Sequence, residues 1–290
     1  MPNFRLSAFA DEASPDFAAQ LDTLRRHGIT LLEIRGVNGK NVSALTNEEA
    51  REARRMMDDA GVKLSALGSP YGKYPIEQDF APHLDDFKRG LELCDILGAD
   101  KIRMFSFFTP KEDHPEWWRG KVVSQLGMMI NLAQEAGVTL CHENEKGIYG
   151  DTDARCMNLL NAFPQLGCVF DPANFIQCGV DVLSAFDKLQ SRITYMHVKD
   201  ALKSTGAVVP AGCGDGQFPA LLEKLAAMGQ DMILTLEPHL TVFDGLAGLQ
   251  DEQLVHAFTY PDAATAFDAA VEAVKGLMGE IRNSEFGMRN

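Results

Sequence analysis

The sequence predicts an α/β protein that forms a single (β/α)8 TIM barrel over residues 1–290. Short runs rich in β-branched and aromatic residues alternate eight times with longer amphipathic segments. A strand followed by a crossover helix gives a parallel sheet, and eight such units can close into a barrel. The length suits one barrel of ~250 residues as well as two smaller domains. Because no linker or break in composition occurs, we expect one domain.

The eight predicted units follow one another along the chain. Runs of this composition, bounded by turn residues, are typical of strands. The predicted strands are Phe4–Phe9, Leu31–Ile34, Val62–Leu67, Ile102–Phe105, Val138–Glu143, Cys168–Asp171, Ile193–Val198 and Met232–Glu237. Amphipathic segments between and after them predict helices from Pro15 to about His27, from after Thr46 to Gly61, and at about 82–97, 116–136, 152–162, 182–189, 218–228 and 261–281.

Capping residues support these boundaries. Ser14 followed by Pro15 suits the N-cap and first position of the first helix, and Thr46 and Glu49 have the spacing of a capping box. Glycines suited to left-handed helix ends precede five strands: Gly28, Gly61, Gly98, Gly137 and Gly229. An open doubly wound sheet is the structural alternative. It would be expected to carry a glycine-rich phosphate turn after an early strand, and none is present.

Composition and charge restrict the classes of function. Apolar residues make up 46% and charged residues 23% of the chain, which excludes disorder as the dominant state. The net charge of −14 repels phosphate backbones, so we expect no nucleic-acid partner and no anionic membrane. No run approaches ~20 apolar residues, and acidic residues come too early for a signal peptide. The six cysteines form no C-x-x-C pair, so reduced thiols and a cytoplasmic location are expected.

Candidate functional residues end four consecutive strands, where barrels of this kind carry their sites. Alternation along each strand places them opposite apolar neighbours, so all should point inward. They are Glu143, Asp171, His197 and Glu237. Three converging carboxylates would repel one another unless a cation lies between them. This ligand set suits Mn²⁺, Mg²⁺, Co²⁺ or Fe²⁺ better than a closed zinc site, with Zn²⁺ as an alternative. Each residue alone would more often be a cap, a loop residue or a core histidine.

Several segments resemble the sugar phosphate isomerase/epimerase group of the xylose isomerase-like TIM-barrel superfamily. They are residues 6–12 (LSAFADE), 102–107 (IRMFSF), 142–151 (HENEKGIYGD), 170–175 (FDPANF), 197–200 (HVKD) and 236–239 (LEPH). The motifs are specific for the superfamily and weak for any substrate. The resemblance implies a divalent metal ion held by Glu143, Asp171, His197 and Glu237, with the two glutamates as proton-transfer groups. It also implies a sugar or polyol substrate and a homodimer or homotetramer.

Two positions depart from the family pattern. Many relatives have histidine three residues after the aspartate, where this chain has Asn174, and often have histidine where it has Glu145. Asparagine can form hydrogen bonds but is a poorer metal ligand and does not titrate. Both positions are predicted to bind substrate, and both put the familiar substrates in doubt.

Three further residues are substrate-binding candidates. Lys199 keeps the inward direction of His197 and could neutralise an enediolate or a phosphate; the alternative is a surface salt bridge. His239 lies beyond the eighth strand and could orient Glu237 or meet substrate. Arg35 suits carboxylate or phosphate oxygens, but an Arg–Glu brace inside the barrel is equally compatible.

The glycine-rich segment 209–218 follows the seventh strand. Its spacing resembles a phosphate-cradling turn, and it equally resembles a tight loop that leads into a helix.

The leading functional hypothesis is a metal-dependent isomerase or epimerase of a sugar, sugar phosphate or related polyol. It would work by proton transfer and a metal-stabilised cis-enediolate. A lyase or dehydratase acting on an inosose-like cyclic polyol would use the same site chemistry. A nuclease resembling the apurinic endonucleases needs several histidine ligands and meets an opposing net charge. A binding protein with a vestigial site is disfavoured because four ligands are retained.

Overall fold

The computed structural model describes residues 3–241 and 257–287. Eight parallel strands form a nearly closed barrel with helices between them, as predicted. The strands are β1 (Phe4–Ala8), β2 (Leu31–Ile34), β3 (Lys63–Gly68), β4 (Lys101–Met104), β5 (Thr139–Glu143), β6 (Gly167–Phe170), β7 (Ile193–Val198) and β8 (Met232–Leu236). Hydrogen-bonded ladders join them in the order β1-β8-β7-β6-β5-β4-β3-β2. In the part of the chain that the structure describes, no ladder joins β1 to β2, although these strands are neighbours.

Nine α-helices occur in the described residues. They are α1 (Phe17–Arg26), α2 (Asn47–Ala60), α3 (Phe80–Leu97), α4 (Arg119–Glu135), α5 (Asp153–Ala162), α6 (Pro172–Gln177), α7 (Val182–Leu189), α8 (Phe218–Met228) and α9 (Ala263–Gly287). Consecutive helices pack on one another, as α1 does on α2 and α2 on α3. Along 3–241 and 257–287, no helix has both the length and the apolar character needed to cross a membrane.

Helix ends follow the predicted capping with one correction. Asp16, rather than Ser14, is the N-cap of α1, and its carboxylate accepts a hydrogen bond from the Ala19 amide. The Ser14 hydroxyl instead accepts from the Asp16 amide, so the helix begins at Phe17. The capping box of Thr46 and Glu49 is confirmed. The five predicted cap glycines have φ between 68° and 75°, the left-handed region that glycine enters at low cost.

The apolar core includes helix side chains that are fully buried. Phe17 of α1, Phe87 of α3, Leu126 of α4 and Phe186 of α7 all have 0% exposure and belong to one hydrophobic cluster. Buried polar contacts also join barrel strands. The Ser7 hydroxyl of β1, for example, lies 2.7 Å from that of Ser65 in β3. Buried polar groups need such partners, which fix strands relative to one another.

Candidate active site

Four predicted site residues meet at the C-terminal mouth of the barrel. Glu143 ends β5, Asp171 follows β6, His197 lies near the end of β7, and Glu237 follows β8. One potential ligand atom from each lies within 4.8 Å of all the others. Their side chains are at most 4% exposed. Metal–oxygen bonds of ~2.0–2.6 Å place the ligand atoms of one ion up to ~4–5 Å apart. The four residues therefore have the spacing that one divalent cation requires.

The three carboxylates surround a single nitrogen of His197. Its Nδ1 atom lies 3.1 Å from Oε1 of Glu143, 3.1 Å from Oε2 of Glu237 and 3.8 Å from Oδ2 of Asp171. The other ring nitrogen, Nε2, lies 3.3 Å from Oε2 of Glu33. The imidazole thus directs Nδ1 towards the candidate metal centre and Nε2 towards β2.

Asn174 orders two of these carboxylates. Asp171 is the N-cap of α6, and its Oδ1 accepts a 2.9 Å hydrogen bond from the Asn174 backbone amide. The Asn174 side-chain amide donates to Oε1 of Glu143 at 3.1 Å and to the carbonyl of Asn144 at 2.9 Å. Asn144 in turn is doubly hydrogen-bonded to the Asp171 backbone. Asn174 therefore lies beside the candidate ligands, with its side-chain amide directed at protein acceptors.

Two carboxylate oxygens at the centre accept no hydrogen bond from any residue that the structure describes. They are Oε2 of Glu143 and Oδ2 of Asp171, and both are buried. Cations lie close to them, with Nε of Arg103 at 3.2 Å from the first and Nζ of Lys199 at 2.8 Å from the second. Buried acceptors without hydrogen bonds are unfavourable. A divalent ion would satisfy both oxygens, so the donor set fits such an ion.

Lys199 is part of the site. Its side chain is 5% exposed, and Nζ lies 2.8 Å from Asp171 and 3.1 Å from Glu237. The surface salt bridge considered above is therefore wrong. Burial lowers the pKa of Lys199, but the two carboxylates outweigh burial and hold the pKa well above its ordinary value. A positively charged ammonium group thus lies beside two of the candidate ligands.

Arg35 braces the mouth of the barrel. Its Nε and Nη2 donate to the two oxygens of Asp11 at 2.9 and 3.0 Å. Nη2 also donates to Glu12, and Nη1 to Glu237, both at 3.1 Å. The guanidinium group lies 4.3 Å above the ring of Phe9. This geometry favours the brace that the sequence left open as the alternative to substrate binding.

A second group of potential ligands adjoins this brace. Glu12, Glu237 and His239 also bring ligand atoms within 4.8 Å of one another. Burial raises the pKa of Glu12 to about 8, although Arg35 opposes the shift. Nε2 of His239 lies 3.4 Å from Glu12 and 3.6 Å from Glu237. Because Arg35 already donates hydrogen bonds to both glutamates, its fixed charge makes this group a poor place for a second metal ion.

A small cleft at the barrel mouth is lined by two of the candidate ligands, Glu143 and Glu237. Beyond the ligands it is lined by Lys73, Phe105, Glu145, Gln177, Val208 and His239, among other residues. Glu145 accepts hydrogen bonds from Nζ of Lys73 at 3.1 Å and from the Lys146 amide at 2.9 Å. Nζ of Lys73 also lies 4.4 Å above the Phe105 ring. The cleft wall combines charged groups with an apolar ring.

The glycine-rich loop after β7 wraps around a side chain of the protein itself. Asp200 accepts hydrogen bonds of 2.8–3.0 Å from the backbone amides of Gly212, Gly214 and Gly216. A Cβ atom at Gly214 or Gly216 would come within 2.6 Å of the same carboxylate. The phosphate-cradling interpretation is therefore wrong for these three amides, because a buried carboxylate already occupies the position of an anion.

We predicted no site role for Asp11, Glu12 or Asn144, and none for Glu33 beyond an Arg–Glu brace with Arg35. A signal was present for Glu33, which shares the inward parity of Arg35 on the second strand. Asp11 and Glu12 lie in the 3-10 turn that follows β1. No alternation rule applies to such a turn, so the direction of these two side chains could not be predicted.

Comparison with known proteins supports the fold. A family model described as xylose isomerase-like TIM barrel matches residues 21–256. A probable L-ribulose-5-phosphate 3-epimerase from Mycoplasma pneumoniae is 26% identical over 141 residues, which are 48% of this chain and 46% of that protein. The chain thus matches about half the length of this curated relative.

Two solved structures cover nearly the whole chain. An L-ribulose 3-epimerase has a TM-score of 0.73 at 18% identity, covering 99% of this chain and 98% of its own. The IOLI protein, solved with a zinc atom, has a TM-score of 0.74 at 16% identity, covering 96% and 99%. At these identities the likeness establishes a shared fold.

Proposed function

Because the chain belongs to the xylose isomerase-like TIM-barrel family, we propose that it is a divalent-metal-dependent isomerase or epimerase. Its substrate is a sugar, a sugar phosphate or a related polyol. The observation that carries this proposal is the buried cluster of Glu143, Asp171, His197 and Glu237, whose ligand atoms lie within 4.8 Å of one another. The named epimerases among similar proteins favour this reaction class.

The four residues would hold the metal ion. When bound, a divalent ion acts as a Lewis acid and stabilises the negative charge of an enediolate. Mn²⁺, Mg²⁺, Co²⁺ and Fe²⁺ suit three carboxylates and one imidazole, and Zn²⁺ is an alternative. The zinc atom in one structural neighbour supports this part of the proposal.

Glu143 and Glu237 are the proposed proton-transfer groups. Nε of Arg103 lies 3.2 Å from Glu143, and Nζ of Lys199 lies 3.1 Å from Glu237. A cation beside each carboxylate favours its ionised form, which a general base must have.

The two carboxylates come from β5 and from the residue after β8, so they can reach a substrate from different sides. One glutamate takes the proton from the carbon beside the substrate carbonyl, and the C–H electron pair forms the enediolate. If the other glutamate returns a proton to the opposite face of the same carbon, the product is an epimer. If the proton returns to the neighbouring carbon and the hydroxyl proton passes to the former carbonyl oxygen, the product is an aldose–ketose isomer. We propose that Lys199, whose Nζ is 2.8 Å from Asp171 and 3.1 Å from Glu237, neutralises the enediolate oxygen.

The rest of the cleft suits a polyhydroxy compound. Glu145, Lys73, Gln177 and His239 line it and offer donors and acceptors for hydroxyl groups. Phe105 adds an aromatic face, on which the C–H side of a sugar can pack. We propose that Asn174 supports binding chiefly through its contacts with Glu143 and Asp171.

A dehydratase acting on a cyclic polyol is the second candidate. It would begin with the same proton abstraction, and loss of a neighbouring hydroxide as water would replace proton return. The nuclease alternative is weaker, because Arg35 interacts with the second ligand group and the net charge of −14 opposes nucleic acid.

The test begins with metal analysis after dialysis and a screen of sugars and cyclic polyols for solvent deuterium incorporation. We expect about one equivalent of metal and exchange at a carbon beside a carbonyl. Glu143→Gln and Glu237→Gln should each abolish exchange, whereas the control Glu145→Gln should retain measurable exchange. Near-normal exchange in either of the first two variants, with metal retained, would refute the two-glutamate assignment. Release of water from a cyclic polyol would favour the dehydratase.

A further inference from the structure

Glu33 of β2 is a buried carboxylate to which no role has yet been given. Its side chain is 0% exposed and lies within the barrel. Oε2 is 3.3 Å from Nε2 of His197, and Oε1 accepts a 2.8 Å hydrogen bond from the Tyr195 hydroxyl. Nε of Arg103 is 3.9 Å from Oε1. Glu33 therefore contacts the one predicted imidazole ligand from the side opposite the candidate metal centre.

We propose that Glu33 is a positioning residue that fixes the ring orientation and the tautomer of His197 for metal binding. The inference rests on the metal centre of the proposed function. A hydrogen on Nε2 is donated to Glu33, and this leaves the lone pair of Nδ1 directed at Glu143 and Glu237. A neutral imidazole carries one N–H, so the partner of one nitrogen decides which nitrogen can bind metal.

The surroundings of the ring strengthen this assignment. The edge of Phe9 packs against His197 with ring centroids 5.3 Å apart and an interplanar angle of 79°. Packing of this kind limits tilting of the imidazole but does not distinguish Nδ1 from Nε2. The Glu33 carboxylate supplies that distinction once Nδ1 binds the metal ion, because it then accepts the one remaining N–H of the ring, on Nε2.

The burial of Glu33 also needs an explanation. A carboxylate away from water is unfavourable unless charges and hydrogen bonds compensate it. Tyr195 and Arg103 supply part of that compensation. An apolar side chain would fill the same volume without such support. An apolar residue could not make the contact with His197, which is the one of these contacts that reaches a candidate ligand.

The test measures metal binding rather than turnover. Calorimetric titration with Mn²⁺ and with Co²⁺ compares the wild type with Glu33→Gln and Glu33→Ala. Loss of the partner of a metal-binding histidine typically weakens metal affinity ~10–100-fold, and we expect that range for Glu33→Ala. Glu33→Gln retains an acceptor but lacks the charge, so its loss should be smaller. The visible spectrum of bound Co²⁺ should change in both variants.

Tyr195→Phe is the matched control. It removes the hydrogen bond to the other oxygen of Glu33 and leaves the His197 contact in place. We expect lower stability with Co²⁺ affinity and spectrum close to those of the wild type. In ¹⁵N spectra of the Zn²⁺-loaded wild type, the His197 proton should reside on Nε2.

The outcomes separate the two proposals. If the wild type binds no divalent metal ion, the proposed metal centre fails and this inference fails with it. If the wild type binds metal and folded Glu33 variants bind it with unchanged affinity and spectrum, only the role of Glu33 is overturned. Should Glu33→Ala not fold, Glu33→Gln, which conserves volume, decides the question.

Discussion

The side-chain amide of Asn174 donates a 3.1 Å hydrogen bond to Oε1 of Glu143, the same oxygen that lies 3.1 Å from Nδ1 of His197. The backbone amide of Asn174 meanwhile donates a hydrogen bond to Oδ1 of Asp171, the N-cap of α6. One residue at the start of α6 thus orders two candidate ligands from two different strands. A position that appeared as a departure from the family pattern thus contacts two of the candidate ligands in this chain.

Asn174→Ala should weaken metal binding without abolishing it. The substitution removes the hydrogen bond to Glu143 but retains the backbone bond to Asp171. Loss of one such bond is worth ~1 kcal/mol, so we expect the dissociation constant for Mn²⁺ to rise about fivefold. Calorimetry measures it, with Gln177→Ala, elsewhere in the cleft, as control. Equal affinity in the two variants would show that Asn174 does not order the centre.

Much of the candidate site was predictable because strand alternation is a local property. It indicated the inward direction of Glu143 and His197 from their apolar neighbours. The contact between Asn174 and Glu143 was not predictable, because it depends on how α6 leaves β6. The same holds for Lys199, whose carboxylate partners come from neighbouring strands rather than from its own.

Removal of the metal ion should lower stability reversibly. An ion that binds only the folded chain stabilises it by ~2.7 kcal/mol at a hundredfold excess over the dissociation constant. Dialysis against a chelator should therefore lower Tm by several degrees, and Mn²⁺ should restore it. Asp171→Asn should fold but show little shift with Mn²⁺. An equal shift in both proteins would place the stabilising ion elsewhere.

The buried imidazole of His83 should make the free energy of unfolding depend on pH. Its Nε2 accepts a 3.0 Å hydrogen bond from the backbone amide of Gly72. Burial lowers the pKa of His83 from 6.5 to about 4. Between these values the unfolded chain binds a proton that the native chain does not, so the His83 contribution to the free energy of unfolding falls as pH falls. The loss of unfolding free energy that His83 causes is absent above about pH 6.5 and complete below about pH 4.

Urea unfolding at several values between pH 7 and pH 4.5 measures this slope. His83→Gln can still accept from Gly72 but does not titrate, so its stability should depend less steeply on pH. The exposed His114→Gln variant is the control, and its slope should match the wild type. An unchanged slope in His83→Gln would assign the dependence to other groups.

Asp200→Asn should destabilise the fold. One carboxylate oxygen accepts from Gly212 and Gly214, and the other from Gly216 and Ala201. An amide nitrogen in place of either oxygen would face backbone donors. Hydrogen bonds to charged acceptors are worth ~1.5–3 kcal/mol each, so we expect a loss of about 3 kcal/mol in chemical denaturation. Asp215→Asn, in the same loop but exposed, should change stability by less than ~1 kcal/mol.

Arg35→Met should also destabilise the protein. It leaves Asp11, Glu12 and Glu237 buried without the cation that they share. Removal of one partner from a buried ion pair typically costs ~3–5 kcal/mol, and we expect a loss in that range. Arg35→Lys should recover part of it, because lysine keeps the charge but not the forked geometry. The exposed Arg55→Met variant should be close to the wild type in the same denaturation experiment.

The fold was predictable because alternation of strands and helices leaves few topologies. The first residue of α1 was not predictable, because Ser14 and Asp16 both suit an N-cap. The carboxylate of Asp16 is the stronger acceptor, and it caps the helix. The missing ladder between β1 and β2 in the described residues was not predictable either. Nothing in the sequence of either strand indicates whether its outer edge forms hydrogen bonds with another strand.

The missing ladder between β1 and β2 gives Arg35 two tasks. Asp11 and Glu12 follow β1, and Arg35 follows β2, so their ion pairs link the two strands where no ladder does within the described residues. Arg35 also contacts Glu237 of the candidate metal centre. A substitution of Arg35 should therefore lower the amount of folded protein and disturb Glu237 at the same time, so folded protein and metal binding have to be measured together at this position.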